Sequence, residues 1–272
     1  MRNYSAATLT LAFILSASPA AADSLTLTGV IRDFLPSGAP AGVYNGHAGQ
    51  GHPDFESFSG ADDEVVLPTL GADGKPVYNP GNAGNVTTTS EAFFDMWYND
   101  SPGFNLSVPY SIELAETSPG SGTFAYSNSA FFPIDGQLFG NSGEPHNYGF
   151  TYEIHGAFSY QPGQTFAFVG DDDMFVFIDG QLVFNIGGIH SAYGWTLDLA
   201  TLPFLVAGQD YSLDIFYAER KTVESSFAIE TSIPLQTEPV PEPATLLLLG
   251  TGLLGLGAQA RRRFRRRRAT TR

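Results

Sequence analysis

Residues 170–190 constrain the fold of this chain more than any other stretch, because three consecutive carboxylates lie there between strand-like segments. Residues 165–169 before the carboxylates have a strand-like composition. After them, residues 174–178 alternate between two sets of apolar side chains, and the Asp-Gly pair at 179–180 favours a two-residue hairpin turn into a strand over residues 181–185. The stretch therefore predicts an acidic loop carried on an antiparallel β-scaffold.

The acidic loop has the chemistry of a site for a hard cation. Asp171, Asp172 and Asp173 repel one another at neutral pH unless a cation or a proton neutralises them. Calcium takes about six to eight oxygen ligands and tolerates irregular geometry. The chain has no cysteine and only five histidines for softer metals. We favour a calcium site, and the alternative is a solvated acidic turn without a metal.

The segment that follows residue 105 predicts a succession of short strands with turns at regular spacing. An opening strand is expected at residues 24–34, a short helix at 91–98, and a loop-rich region over 36–99. The other predicted strands cover residues 107–114, 122–127, 148–160, 165–169, 174–178, 181–185, 194–199, 211–218 and 226–233. This spacing indicates an all-β fold, an antiparallel β-sandwich with long loops, in a single domain over residues 23–234.

Both ends of the chain have the features of export signals. Residues 1–22 combine Arg2, an apolar run and three alanines, which is typical of a cleaved signal peptide and its helix. At the other end, a Pro-rich linker over residues 235–243 precedes seventeen uncharged residues, 244–260. As a helix this segment would be about 25 Å long, enough for a thin bilayer. We therefore predict a transmembrane helix at 244–260 and a basic cytoplasmic tail at 261–272, with seven arginines within residues 261–268.

This C-terminal arrangement resembles the PEP-CTERM sorting signal of Gram-negative bacteria. Pro241, Glu242 and Pro243 match its motif, and the apolar segment and basic cluster follow in the same order. The resemblance implies processing by an exosortase, usually in organisms that make exopolysaccharide. The alternative is an ordinary membrane anchor. In both cases we expect an exported protein at the cell surface or in the extracellular matrix, held in the membrane by the C-terminal segment before processing.

The charge distribution restricts the possible partners. The formal charge is −15 for the chain, but residues 23–240 hold 27 acidic residues against four basic ones, which gives −23. Such a surface repels phosphate backbones and attracts divalent cations, so we expect no nucleic-acid partner. Because cysteine is absent from an exported chain, stability must come from core burial and from bound ions.

Several sequence strings in a fixed order resemble the fibro-slime domain, which is related to the PA14 β-sandwich. The resemblance extends from about residue 27 to residue 233. The matching strings lie at residues 29–34, 52–55, 131–136, 146–153, 170–190 and 216–220. The resemblance implies a PA14-like fold and a role in an extracellular matrix or in adhesion.

Calcium-dependent PA14-like lectins bind the ion through a pair of adjacent aspartates joined by a cis peptide bond, and the ion contacts sugar hydroxyls. By position this pair resembles Asp171-Asp172, with Asp173 where many PA14 sequences have glycine. A second loop completes the calcium site in those lectins, and the equivalent hairpin here contains Glu219 and Ser226. The resemblance thus implies metal ligands at the three aspartates and Glu219, with Ser226 where fibro-slime sequences commonly have asparagine.

Three further residues are candidates for contacts with a sugar. His190 follows two glycines that allow a close approach of the backbone, and Tyr193 and Trp195 come just after it, so these three are candidate sugar contacts. With His146 and His155, His190 was also considered as a transition-metal cluster, against the simpler role of hydrogen bonding to the backbone.

The sequence offers no positive evidence for catalysis. A glycoside hydrolase would need a carboxylate pair, for which Glu153 and Asp173 are nominal candidates, but no hydrolase, zinc-protease or phosphate-loop motif is present. We therefore expect a non-enzymatic protein that binds extracellular polysaccharide with the help of calcium in a biofilm. The alternatives are a structural matrix protein with a stabilising ion site and a glycoside hydrolase.

Overall fold

The computed structural model describes residues 23–82 and 87–237. The predicted signal peptide, transmembrane segment, basic tail and sorting motif lie outside these residues. Within residues 23–82 and 87–237, no helix is both long and apolar enough to cross a membrane.

Short β-strands dominate the described chain, as the sequence predicts. The strands are β1 (Ser24–Phe34), β2 (Gly42–Tyr44), β3 (His47–Gly49), β4 (Gly60–Ala61), β5 (Val66–Leu70), β6 (Pro76–Tyr78), β7 (Asn105–Glu116), β8 (Phe124–Asn128), β9 (Phe150–Ser159), β10 (Thr165–Gly170), β11 (Asp173–Ile178), β12 (Gln181–Ile186), β13 (Gly188–Ile189), β14 (Tyr193–Asp198), β15 (Asp210–Glu219), β16 (Phe227–Thr231) and β17 (Gln236–Thr237). One short helix, α1 (Glu91–Phe94), and two 3-10 turns, Asp95–Trp97 and Leu199–Thr201, complete the regular structure.

Thirteen strands form one curled antiparallel sheet. Its order is β14-β10-β16-β8-β7-β1-β9-β15-β11-β12-β5-β6, with β17 paired to β9. The sheet curls so far that β12 and β14 contact each other through stacked rings of Phe184 and Trp195, whose centroids are 4.7 Å apart. This confirms the predicted PA14-like antiparallel β-sandwich.

The first hydrophobic core fills the space inside the curl. It takes alternate residues of the central strands, because successive side chains of a strand point to opposite faces. In β11 these are Met174, Val176 and Ile178, and in β9 they include Tyr152 and Ile154. Phe131 and Phe227 stack at its centre with ring centroids 4.8 Å apart.

A second core lies on the opposite face of the same strands. There Phe175 and Phe177 of β11 and Phe216 of β15 pack against the loop-rich segment, which supplies Phe55 and Trp97. This double burial explains why every residue of β11 is buried. The predicted short helix is confirmed as α1, which begins at the N-cap Ser90 and is continued by a 3-10 turn.

The loop-rich segment is more ordered than its composition indicates. Five short strands, β2 to β6, lie within residues 36–99, where the sequence predicts long surface connections. They were missed because strands of two to five residues carry too few side chains to show an alternating pattern. At the other end, β17 extends the sheet to Thr237, beyond the predicted domain end at residue 234.

Candidate functional site

The acidic loop lies where β10 passes into β11, beside the loop that joins β15 to β16. Gly170 pairs with Tyr193 on one side and with Phe227 on the other. Asp172 follows with a positive φ of 26°. Every peptide bond of the described residues is trans, including the one between Asp171 and Asp172, unlike the cis bond of the PA14-like lectins.

Asp173 faces the interior and forms an ion pair with Arg220. Its Oδ2 atom lies 2.6 Å from Nε of Arg220, and its Oδ1 atom accepts a hydrogen bond of 2.6 Å from the backbone N–H of Gly188. Both side chains of the ion pair are fully buried. Asp173 thus uses both of its carboxylate oxygens in contacts within the protein.

Arg220 joins the two loops to the second core. Its backbone N–H donates to Oδ2 of Asp172 at 2.8 Å, and its guanidinium carbon lies 4.4 Å from the centre of the Trp97 ring. The guanidinium also donates to the backbone carbonyls of Asp54 and Thr87. Sequence analysis missed this residue. The available signal was its rarity, since it is one of four basic residues between positions 23 and 240.

Asp172 is buried and is held by backbone donors from both sides of the site. Besides the N–H of Arg220, the N–H of His190 donates to its Oδ1 atom at 3.3 Å. Burial raises the pKa of Asp172 to about 7, although the positive charge of Arg220 opposes the shift; the negative charge of Asp173 adds to it.

Asp171 is the carboxylate with a free ligand position. Its backbone N–H donates to the carbonyl of Ser226 at 3.3 Å, which ties the acidic loop to the start of β16. Its Oδ2 atom is buried and has no hydrogen-bond partner among the described residues. Burial raises the pKa of the Asp171 carboxyl. An unpaired buried oxygen is costly, so this atom is a position where a ligand or ion would be stabilised.

Glu219 lies behind the loop, fully buried. The hydroxyl of Tyr217 donates to its Oε2 atom at 3.4 Å and the N–H of Lys221 to its Oε1 atom at 3.2 Å. Burial raises the pKa of Glu219 well above its ordinary value, and the neighbouring Asp172 raises it further. The predicted contact residue Ser226 reaches the acidic loop through its backbone carbonyl, which accepts the hydrogen bond from the N–H of Asp171.

Two cavities open at this end of the sandwich. The first, of about 470 Å³, lies between the acidic loop and the β15–β16 loop. It is lined by Asp171, Asp172, Ile189, His190, Ser191, Lys221, Thr222, Val223 and Glu224. Of the four predicted metal ligands, Asp171 and Asp172 line this cavity, while Asp173 and Glu219 lie behind its wall.

The second cavity, of about 560 Å³, lies between β12 and β14. It is lined by Ala61, Asp63, Val183, Phe184, Asn185, Ile186, His190, Ser191, Tyr193 and Trp195. The predicted sugar contacts His190, Tyr193 and Trp195 therefore share one wall. Tyr193 is 55% exposed, whereas Trp195 is half-buried against Phe184.

The loop before β14 fits tightly against β4, and glycine is required there. A Cβ atom on Gly187 would lie 2.1 Å from the carbonyl oxygen of Asp62, and one on Gly188, whose φ is 94°, would lie 2.3 Å from that of Gly60. This close packing explains why the two glycines precede His190 and how the position of that histidine is fixed.

The residues considered for other chemistry are held elsewhere in ion pairs or hydrogen bonds. His146 Nδ1 lies 2.6 Å from Asp135, and His155 Nδ1 lies 2.7 Å from Asp214. Glu153, named as a hydrolase candidate, is paired with Lys75 at 2.6 Å and with Arg32 at 3.3 Å. Over residues 23–82 and 87–237, no group of three or more His, Asp and Glu residues is arranged as a metal site.

Acidic side chains line the first cavity on two sides. Asp171 provides an unpartnered carboxylate oxygen, Asp172 adds a second carboxylate, and Glu224 lines the opposite wall. Carboxylate oxygens are the type of donor that calcium prefers. Lys221 in the same wall is the one positively charged side chain.

Two known sequence families match parts of this chain. The sequence pattern of the PA14 domain matches residues 134–243, which include both loops of the site. The PEP-CTERM protein-sorting motif matches residues 239–263. The chain thus has a match to the PA14 domain followed by a match to the PEP-CTERM motif, and the sorting motif indicates an exported, surface-sorted protein of Gram-negative bacteria.

Homologues occur among the psi proteins of Dictyostelium discoideum. Protein psiR is 39% identical over 197 residues, which are 67% of this chain and 20% of psiR. Protein psiD is 40% identical over 196 residues, which are 66% of this chain and 38% of psiD. The chain therefore spans only about one to two fifths of the length of these relatives.

Among solved structures, the PA14 sugar-binding domain from an RTX adhesin aligns over 34% of this chain and 52% of its own, at 17% identity and a TM-score of 0.24. The PA14 domain of the MpAFP antifreeze protein aligns over 45% of this chain and 79% of its own, at 12% identity and a TM-score of 0.28. The resemblance to fibro-slime domains stays a prediction.

Proposed function

We propose that this protein binds carbohydrate at the cell surface or in the extracellular matrix, with calcium held by Asp171 and Asp172. The observation that carries the proposal is the unpartnered, buried Oδ2 atom of Asp171, which belongs to a carboxylate in the wall of an open cavity of about 470 Å³. When bound, calcium would supply a positive centre that orients sugar hydroxyls. The PA14 domain and the sorting motif fit such a role on an exported, non-catalytic protein.

The test is a calcium titration of the purified protein by calorimetry. We expect saturable binding in the native protein and its loss in Asp171→Asn, because the substitution keeps the shape of the side chain and removes its charge. Asp179→Asn is the matched control, since Asp179 lies in the exposed hairpin turn between β11 and β12. Equal calcium binding by all three proteins would contradict the assignment of the site.

The second candidate function is a structural matrix protein in which the ion stabilises the fold and no sugar binds. The observation that favours it is the burial of Asp172, Asp173 and Glu219 close to a single arginine, Arg220. Under this function calcium raises the melting temperature, and retention on immobilised polysaccharide is the same for the native protein and Asp171→Asn. Release of reducing ends from polysaccharide would instead indicate a hydrolase.

A further inference from the structure

The two cavities at this end of the sandwich share one wall. His190 and Ser191 line both of them, so the cavity beside Asp171 and the groove between β12 and β14 are neighbours. We call the two neighbouring cavities together the trough. The two parts have volumes of about 470 and 560 Å³. Sugar binding at Asp171 alone would leave the part beside Trp195 without a role.

Three buried polar atoms without a hydrogen-bond partner among the described residues belong to side chains that line the trough. They are Oδ2 of Asp171, Nε2 of His190 and Oδ1 of Asn185. Nearly all buried polar atoms of folded proteins have a partner, so three such atoms on side chains that line two neighbouring cavities indicate a polar occupant. Asp171 belongs to the first part of the trough, Asn185 to the second, and His190 to both.

All three atoms are hydrogen-bond acceptors. The amide nitrogen of Asn185 donates to the carbonyl of Asp63, which leaves Oδ1 as the atom that accepts. Nδ1 of His190 lies 2.9 Å from the carbonyl oxygen of Ser191 and so carries the proton, which leaves Nε2 as an acceptor in the neutral ring. The occupant must therefore present several donors, as the hydroxyl groups of a sugar do.

The wall between β12 and β14 adds aromatic surface. Tyr193 is exposed, and Trp195 and Phe184 stack at a centroid distance of 4.7 Å. Aromatic rings offer apolar area to the C–H face of a pyranose. The charged side chains of the trough are mostly acidic, with Asp63 and Glu224 against Lys221, so a uronic acid or a sulfated sugar would be repelled.

We propose that the groove between β12 and β14 is a second sugar subsite, so that the trough binds a neutral oligosaccharide of at least two pyranose residues. The proposal rests on the proposed function, because the first residue is held at Asp171. Asn185 and His190 accept hydrogen bonds from hydroxyl groups of the second residue, and Tyr193 packs against its ring.

The test uses immobilised neutral mono-, di- and trisaccharides of glucose, galactose and mannose, with the corresponding uronic acids, in the presence of calcium. For the sugar that binds best, we expect the di- or trisaccharide to bind about tenfold more tightly than the monosaccharide, which corresponds to one additional set of contacts. Tyr193→Ala should remove most of this gain. The exposed side chain of Tyr193 makes this substitution compatible with folding.

Two further variants separate this proposal from the proposed function. Asp171→Asn should weaken binding of all sugars, and Val206→Ala, an exposed position outside the trough, should change none. Equal affinity of the native protein for mono- and trisaccharides would overturn the second subsite and leave the Asp171 site intact. A preference for uronic acids would overturn the neutral ligand class. Absence of binding to any sugar would overturn both proposals.

Discussion

At the scale of single residues, Arg220 determines how the acidic loop is built. A fully buried guanidinium is costly unless it is paired, and here Asp173 pairs with it at 2.6 Å while Trp97 packs on its face. The three consecutive aspartates therefore differ in their contacts. Asp173 is buried and bonded within the protein, and Asp172 accepts hydrogen bonds from backbone N–H groups. Asp171 keeps one oxygen atom without a hydrogen-bond partner among the described residues. The pairing gives each carboxylate a different role.

Removal of either partner of this ion pair should destabilise the protein strongly. Arg220→Met leaves the Asp173 carboxylate buried and unpaired, and we expect a loss of about 3–5 kcal/mol in the free energy of unfolding. The double variant Arg220→Met with Asp173→Asn should be less destabilised than the sum of the single variants. Urea denaturation measures all three.

Lys221→Met is the matched control for that cycle. Its ammonium lies 3.8 Å from Glu56 in a partly exposed pair, so the expected change is within about 0.5 kcal/mol. Additive losses in the Arg220 and Asp173 variants would show that the two side chains do not stabilise each other.

At the scale of elements, β11 connects the two cores and the acidic loop. Its even-numbered residues face the sandwich interior, and Phe175 and Phe177 face the segment 36–99. Asp173 is the last residue of the acidic loop and the first residue of β11. Because Phe175 and Phe177 are packed in the second core, alternation along the strand directs the side chain of Asp173 to that same face. The same alternation in β15 places Tyr217 in one core and Phe216 in the other.

Neighbouring substitutions in β11 should therefore have different local effects. Phe175→Ala removes a ring that packs against Phe94, with ring centroids 6.4 Å apart, and should open residues 60–99 to proteases. Met174→Ala leaves a cavity in the other core at a cost of about 2–5 kcal/mol and should not expose that segment selectively. Limited proteolysis with mass spectrometry distinguishes the two variants, and identical cleavage patterns would contradict the division into two cores.

At the scale of the whole molecule, buried carboxylates make stability depend on pH. Burial raises the pKa of Asp33 and of Asp172 to about 7 from an ordinary value of 3.8. The folded state therefore binds more protons than the unfolded state between these values, and the corresponding stability is lost as pH rises through 7. Burial lowers the pKa of His52 to about 4 from an ordinary value of 6.5. Its contribution to the stability of the fold is therefore present above pH 6.5 and is lost as the pH falls towards 4.

Between pH 8 and pH 6.5 the two carboxylates outweigh His52, because the histidine of the unfolded state becomes only half protonated at pH 6.5. In the presence of a chelator, we expect the melting temperature to rise as pH falls from 8 to 6.5, measured by differential scanning calorimetry. Asp33→Asn should reduce this slope, because Asp33 is fully buried beside Phe139 and Asn147 and is far from solvent. A melting temperature that is flat or falls over this interval would contradict the prediction.

Local patterns predicted much of the fold. The strands from 24–34 onwards agree with β1, β7 to β12 and β14 to β16 to within about two residues at most ends, because alternation and turn dipeptides are short-range signals. Three residues that the sequence analysis singled out, Asp171, Asp172 and His190, line the first cavity, and their roles as ligands stay a prediction. The short strands β2 to β6 and the second core were missed, since they depend on packing across the chain.

The sequence by itself determined an all-β chain with an acidic loop between two strands and a sorting motif at residues 239–263, because composition, alternation and adjacent residues carry that information. Only the tertiary structure decided that Asp173 pairs with Arg220, that Asp172 accepts hydrogen bonds from the backbone, and that Asp171 keeps an oxygen without a partner among the described residues. Asp173 and Arg220 are 47 positions apart, and Asp172 and His190 are 18 apart, so their contacts arise from strand pairing. Burial and charge pairing depend on distances in space, and those distances are fixed when the sheet curls.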